Sequence, residues 1–127
     1  MSIQQNLQIL HRRIAEAAGR SGRNPAGIAL CVVTKTVSVD KMREAIGLGI
    51  RRIGENRVHE AMEKQPQIGR AVEWHMVGHL QSRKAKQAVE LFDVVQSVDR
   101  LSTAQALQKR CAGLGRSMRI LIEVKTS

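Results

Sequence analysis

Lys35 is the residue of this sequence best placed for carbonyl chemistry. It follows the apolar segment 28–33 and falls on the same alternating face as Cys31 and Val33. An amine held against apolar walls loses hydration of its charged form, so the neutral amine becomes available. Because a neutral amine attacks aldehydes and forms a Schiff base, the pattern indicates a carbonyl-binding lysine. The alternative is a lysine whose methylene stem covers apolar surface while its ammonium group stays in water.

Polar residues also follow the other apolar segments that we predict to be strands. They are Glu55, Asn56, Gly78, His79, Ser97, Asp99 and Lys125. In strand–helix barrels the binding residues collect at the carboxyl ends of the strands. We therefore expect these side chains to share one rim with Lys35.

Asn56 is the second candidate for contact with a ligand. It comes at the predicted start of a helix, where an N-cap is its simplest role, and capping is compatible with a ligand contact at the rim. The preceding residue, Glu55, could orient Lys35. It could equally form an ion pair with Arg52 or Arg57, and the sequence leaves these choices open.

The histidines near the third predicted strand do not indicate a metal centre. His75 lies inside that strand and is expected to be buried and hydrogen-bonded. Neither His75 nor His79 has a second ligand at a recognised zinc spacing. Gly78, just before His79, is expected to allow a tight turn after the strand.

The elements that must position these residues begin with an amphipathic helix. Its apolar residues recur at steps of three and four, at positions 3, 7, 10, 14 and 17. Five apolar segments follow, at intervals typical of one strand–helix unit with short loops. We predict strands at 28–33, 51–53, 72–77, 93–97 and 119–124, with a helix after each of the first four. Ser38 and Asp99 are the predicted N-caps of the helices that follow the first and fourth strands.

Alternation of this kind predicts a parallel sheet with helical crossovers. An open doubly wound sheet normally carries a glycine-rich phosphate loop after its first strand. Positions 34–38 read TKTVS instead, which favours a barrel. The predicted fold is therefore α/β, a partial TIM-type (β/α)8 barrel in one domain over residues 1–127. It consists of an N-terminal helix followed by five strand–helix units, with the fifth strand ending the chain.

The composition argues against several other classes of protein. The formal net charge is +10, yet the basic residues are spread along the chain, and Phe92 and Trp74 are its only aromatic residues. A base-stacking platform is hard to build from them, so nucleic-acid binding is not favoured. No apolar run is long enough to span a bilayer, and the N-terminus does not read as a signal peptide, so a cytoplasmic protein is expected. Cys31 and Cys111 are expected to be small buried residues.

Five ordered blocks of the sequence resemble the pyridoxal phosphate homeostasis family. They are VVTKT at 32–36, IGENRVHE at 53–60, EWHMVGHLQSRK at 73–84, QSVD at 96–99 and ILIEV at 120–124. The resemblance implies a fold like the barrel domain of alanine racemase, with pyridoxal 5'-phosphate (PLP) held as a Schiff base on Lys35. It also implies a role in binding, buffering or delivering the cofactor to apo PLP enzymes, without catalytic turnover.

Some positions depart from the pattern of that family. Thr34 stands where serine is usual, Val37 where a second lysine is common, Arg57 where tyrosine is usual and Arg83 where asparagine is usual. None of these changes touches Lys35. The change at Val37 removes a secondary lysine able to accept the cofactor.

Length is the larger departure, because similar proteins continue for three more strand–helix units. Phosphate sites in such barrels are commonly built from the loops after strands seven and eight. We therefore expect this chain, alone, to hold PLP weakly or not at all. We also expect two unpaired sheet edges and an uncovered inner face, which favour a marginal fold or association with a second chain.

The alternative function within this fold is a PLP-dependent racemase or decarboxylase. A racemase of this kind needs a second proton-transfer residue opposite the lysine, usually a tyrosine from an added domain. The chain contains no tyrosine. The sequence therefore favours a cofactor-binding protein over an enzyme.

Overall fold

The computed structural model describes residues 1–126, and it contains helices and strands in regular alternation. In chain order the elements are α1 (Ile3–Arg20), β1 (Val32–Val33), α2 (Val39–Gly47), β2 (Arg52–Glu55), α3 (Val58–Ile68), β3 (Glu73–Met76), α4 (Ala85–Leu91), β4 (Val94–Val98), α5 (Leu101–Leu114) and β5 (Arg119–Ile122). Short 3-10 turns at Pro25–Gly27 and Ser82–Lys84 precede β1 and α4.

The strands form one parallel sheet in sequence order. Within residues 1–126 the order is β1-β2-β3-β4-β5, and each neighbouring pair is parallel. Sequential parallel strands joined by helices are the arrangement of a (β/α)8 barrel, so the predicted α/β fold, a partial TIM-type barrel, is confirmed. Among the described residues, no helix combines the length and the apolar character needed to cross a membrane.

The core lies between the sheet and its helices. Trp74 and Phe92 are fully buried there, together with Ile53, Met76 and Val95. The indole N–H of Trp74 donates to the Gly69 carbonyl at 2.9 Å, so this large side chain is buried without an unpaired donor. This packing fixes which side of each strand faces the helices, and therefore which residues face the inside of the barrel.

The predicted strands at the two edges of the sheet are shorter than expected. β1 covers Val32–Val33 instead of 28–33. Val32 pairs with Ile53, the second residue of β2, so the residues before Val32 extend beyond the first residue of β2 and have little strand to pair with. β5 ends at Ile122, two residues before the predicted end. The other strands lie within two residues of their predicted bounds.

One predicted helix cap is confirmed and two are wrong. The Ser38 hydroxyl accepts a hydrogen bond from the Lys41 amide at 3.3 Å, as an N-cap should. Arg57, not Asn56, holds the N-cap position of α3, and Arg100, not Asp99, holds that of α5. Both helices begin one residue later than predicted. Asn56 and Asp99 therefore lie just before the caps, at the carboxyl ends of their strands.

Candidate functional site at the carboxyl ends of the strands

Lys35 occupies a tight turn directly after β1. Val33 pairs with Gly54 of β2, and the Thr34 amide donates to the Gly54 carbonyl at 2.8 Å. The Val37 amide then donates to the Thr34 carbonyl at 3.0 Å, which closes a four-residue turn with Lys35 and Thr36 at its centre. The Lys35 side chain is exposed at the rim, so the expectation of an amine enclosed by apolar walls is wrong.

The turn requires an unusual backbone conformation at Thr36. Its φ of 61° is the only positive value among the non-glycine residues of positions 1–126. A turn with positive φ at its third residue normally takes glycine or asparagine there. A β-branched residue in this region is strained, and such strain persists only where surrounding contacts hold it.

Three charged side chains beneath the turn supply such contacts. The Lys64 ammonium donates to the Thr34 carbonyl at 2.7 Å and reaches the carboxylates of Glu55 at 3.1 Å and Glu60 at 2.6 Å. Glu60 accepts from the Thr36 amide at 2.7 Å, and Glu55 accepts from the Thr34 hydroxyl. We call Glu55, Glu60 and Lys64 the α3 charge cluster.

Burial makes the α3 charge cluster costly to break. Glu55 is fully buried and Lys64 is 7% exposed, on the helix-facing side of the sheet. The hydrogen bond from Lys64 holds the pKa of Glu60 below its usual range, with further help from the Thr36 amide, against the opposing effect of desolvation. Charges removed from water in this way need all of their partners.

Asn56 lies beside Lys35 on the neighbouring strand. Lys35 and Asn56 each come two residues after the paired residues Val33 and Gly54, so they follow adjacent strands at the same level. A β-carbon on Gly78 would approach the Asn56 Cα to 2.8 Å, and would meet the Asn56 carbonyl even more closely. Glycine at 78 is therefore needed for close approach of the β3 end to the Asn56 backbone.

The rim continues through the ends of β3 and β4. The Ser97 hydroxyl donates to the Gly78 carbonyl at 2.6 Å. The Asp99 side chain does not cap α5. Its carboxylate lies 3.9 Å from Nδ1 of His79. The structure thus places four of the residues that the sequence predicted for the rim in two contacting pairs, Gly78 with Ser97 and His79 with Asp99.

A cleft of about 220 Å³ opens next to Asn56. Its lining residues are Asn56, Arg57, Val58, His59, Met76, His79, Leu80, Gln81 and Lys84. All of its ionisable side chains are basic, so it suits an anionic group. Lys35 is outside this lining, on the other side of Asn56 along the rim.

The inner face of the sheet carries a second polar network. Glu73 accepts hydrogen bonds from His75 at 2.7 Å and from Arg119 at 2.9 Å, and it lies 3.7 Å from Arg52. The Gln96 amide donates to the other ring nitrogen of His75 at 2.8 Å. Burial raises the pKa of Glu73, but the hydrogen bonds from His75 and Arg119 outweigh it and the pKa falls below its usual range. The expectation of a buried, hydrogen-bonded His75 is confirmed.

Among the described residues, Glu55 forms an ion pair with Lys64 and not with Arg52 or Arg57, the two arginines that the sequence offered. It pairs with Lys64 and Thr34 on the helix-facing side, whereas Arg52 pairs with Glu73 on the inner face. The sequence analysis missed Lys64 and Glu60. The available signal was their spacing of four residues within α3, which places the two side chains together.

The comparison with known proteins agrees with this architecture. Residues 3–127 match the family model described as the N-terminal domain of alanine racemase. The chain belongs to this family. The alanine racemase of Clostridium difficile 630 superposes with a TM-score of 0.63 over 73% of this chain and 26% of that enzyme, and at 18% identity the likeness shows the fold alone.

Two other members of the family are more similar in sequence. The pyridoxal phosphate homeostasis protein of Pseudomonas aeruginosa is 42% identical over 115 residues, or 89% of this chain and 50% of that protein. PipY of Synechococcus elongatus PCC7942, solved with PLP bound, is 39% identical with a TM-score of 0.76, over 90% of this chain and 55% of PipY. The resemblance found in the sequence is thereby confirmed. The chain spans about half the length of the curated relatives it matches.

Proposed function

We propose that this chain is part of a PLP-binding protein that acts in intracellular PLP homeostasis, with the cofactor held as a Schiff base on Lys35. The carrying observation is the position of Lys35, at the carboxyl end of β1 in a chain 39% identical to a protein solved with PLP. PLP supplies an aldehyde that condenses with an amine. Lys35 would hold the cofactor through its Nζ, and the condensation would release the carbonyl oxygen as water with the two amine protons.

The residues at the rim fit a cofactor with an aldehyde and an anionic phosphate. Lys35 offers the amine in the exposed turn, and the neighbouring cleft offers Arg57, His79 and Lys84. Asn56 lies between the two, where its amide can bind a polar ring substituent. In this proposal Lys35 bonds the carbonyl, and Asn56 orients the bound group.

We also propose that residues 1–127 are the N-terminal part of one PLP-binding barrel domain. Support comes from the match to an N-terminal domain family and from the coverage of about half of each similar protein. Loops after the seventh and eighth strands commonly bind phosphate in such barrels. Residues 1–127 offer only the basic cleft beside Asn56 for the phosphate, so by themselves they are expected to hold PLP weakly.

The proposed role does not include catalytic turnover. The named relatives are homeostasis proteins, which supports a binding role. We propose that the cofactor is instead released to apo PLP enzymes in the cytoplasm. A racemisation assay with alanine and added PLP tests this point, and turnover dependent on Lys35 would contradict it.

Borohydride trapping tests the Schiff base. The chain is incubated with excess PLP, reduced and mapped by peptide mass spectrometry, and Lys35 is expected to carry the most label among the seven lysines. Lys35→Arg keeps the positive charge but cannot form the imine, so it should lose this label. Lys109→Ala, which removes an exposed lysine of α5, is the matched control and should leave the label on Lys35 unchanged. Label spread evenly over the exposed lysines would contradict the proposal.

A further inference from the structure

The contacts that hold the Lys35 turn come from the face of the sheet opposite to the inside of the barrel. We propose that Lys64 and Glu60 of α3 are positioning residues, which fix the orientation of Lys35 for reaction with a carbonyl ligand. This inference rests on the Schiff-base function proposed above. Neither residue contacts the ligand in this proposal, and both act through the backbone of the turn.

The two peptide groups that flank Lys35 are each held by α3. The carbonyl of the preceding peptide group belongs to Thr34 and accepts from the Lys64 ammonium at 2.7 Å. The N–H of the following peptide group belongs to Thr36 and donates to Glu60 at 2.7 Å. Fixing the planes of both peptide groups fixes φ and ψ of Lys35, and with them the direction of its Cα–Cβ bond.

The conformation held in this way is one the turn would not keep unaided. Thr36 is β-branched and has a φ of 61°. Relaxation of this residue to negative φ would rotate the Lys35–Thr36 peptide group and turn its N–H away from Glu60. The Glu60 contact therefore opposes the strain directly.

Lys64 is the centre of the arrangement because it holds both carboxylates as well as the turn. Its ammonium lies 3.1 Å from Glu55 and 2.6 Å from Glu60. Without that positive charge, two carboxylates would face each other in a site from which water is largely excluded. Glu60, the more exposed of the two, would move outward and release the Thr36 amide.

The test measures the chemical reactivity of Lys35 against an internal reference. Each variant is incubated with excess PLP and reduced at successive times, and the rate of labelling at Lys35 is divided by that at the exposed Lys109. Because misplacement of a reacting group lowers its rate steeply, Lys64→Met and Glu60→Ala are expected to lower this ratio by about tenfold. Lys64→Arg keeps the charge and the donors, so it should restore most of the ratio.

The matched control lies on the same helix. Glu63→Gln removes the exposed ion pair between Glu63 and His59. Glu63 lies three residues after Glu60 on α3, and its ion pair does not involve the turn. Glu63→Gln should leave the ratio unchanged. An unchanged ratio in both Lys64→Met and Glu60→Ala, or an equal fall in Glu63→Gln, would overturn the inference.

A second measurement needs no ligand and covers the case in which Lys64→Met unfolds. Loss of the Glu60 acceptor should speed hydrogen exchange of the Thr36 amide by about tenfold, as expected for one charge-assisted hydrogen bond. Exchange of the Trp74 amide, which donates to Asp93 at 2.8 Å, reports global unfolding in the same sample. Equal acceleration of both amides in Glu60→Ala would overturn the positioning role.

The two proposals fail in different ways. Labelling of Lys35 that is no faster than that of the exposed Lys109 in the unaltered chain, under excess PLP, contradicts the Schiff-base function itself. Strong label on Lys35 in the unaltered chain, with the same Lys35:Lys109 ratio in Lys64→Met and Glu60→Ala, contradicts the positioning role alone.

Discussion

At the scale of single residues, the two networks of buried or half-buried charges lie on opposite faces of the sheet. The α3 charge cluster lies on the helix-facing side, and the network around Glu73 lies on the inner face. Alternation of side chains along β2 produces this separation, because Arg52 and Glu55 lie three residues apart and point to opposite faces. A substitution in one network can therefore change the turn of Lys35 while the other network stays intact.

The strain at Thr36 leads to a stability prediction. Asparagine tolerates positive φ better than a β-branched residue, so Thr36→Asn should raise the free energy of unfolding by about 1 kcal/mol. Urea titration measures the change. Thr103→Asn, at a buried helical position with no such strain, is the contrasting variant and should destabilise the protein.

Acidification should destabilise the fold through Glu60 and Glu73. Their pKa values lie below the usual range in the folded protein, so protons bind more readily to the unfolded chain. The stabilisation is complete above the ordinary glutamate pKa of about 4.3 and is lost as the pH falls through the folded-state values. Urea unfolding from neutral pH downward measures this loss. Glu60→Gln should reduce its size, and Glu63→Gln should not.

At the scale of elements, the order and type of helices and strands could be predicted because each has a strong periodic pattern. The cap of α2 could be predicted from Ser38 alone. The caps of α3 and α5 could not, because Asn56 and Asp99 have contacts at the rim that only the assembled sheet creates. Likewise, a Glu–Lys pair four residues apart on a helix is usually exposed to solvent, so the sequence of α3 did not indicate that Lys64 is buried.

The junction between β2 and β3 gives a prediction at this scale. Gly78→Ala would place a methyl group against the Asn56 backbone, and backbone atoms cannot move aside cheaply. We expect a loss of about 1–3 kcal/mol in the free energy of unfolding, as for other overpacked sites. We also expect shifts of the Asn56 amide resonances in an NMR spectrum. Gly113→Ala, which has open space around it in α5, is the control and should be neutral or slightly stabilising. Unchanged resonances at Asn56 would contradict the close approach.

At the scale of the whole molecule, the described part of the sheet has β1 and β5 at its edges. Every residue of β5 is exposed, and Leu121 and Ile122 are 54% and 75% exposed. An exposed apolar edge strand is a template for pairing with another chain. This arrangement agrees with the sequence-based expectation of unpaired edges. The relatives are about twice as long as this chain, so residues 1–127 do not include every segment that could cover these edges.

Produced in isolation, residues 1–127 are expected to self-associate through this exposed edge. Ile122→Lys places a charge on the edge strand and should shift the protein toward monomer. Sedimentation velocity over a range of concentrations measures the shift. Leu101→Lys changes an equally exposed apolar residue of α5 and should leave the association unaffected. A compact, stable monomer in the unaltered chain would contradict the prediction.

Cys31, four residues before Lys35, also bears on the choice of nucleophile. Burial raises the pKa of its thiol, against the opposing effect of the Arg52 guanidinium. The thiolate is the stronger nucleophile, so raising the pKa of this thiol lowers its reactivity at any given pH. The same segment thus carries a half-buried thiol and an exposed amine, so the amine is the nucleophile that an incoming aldehyde reaches first.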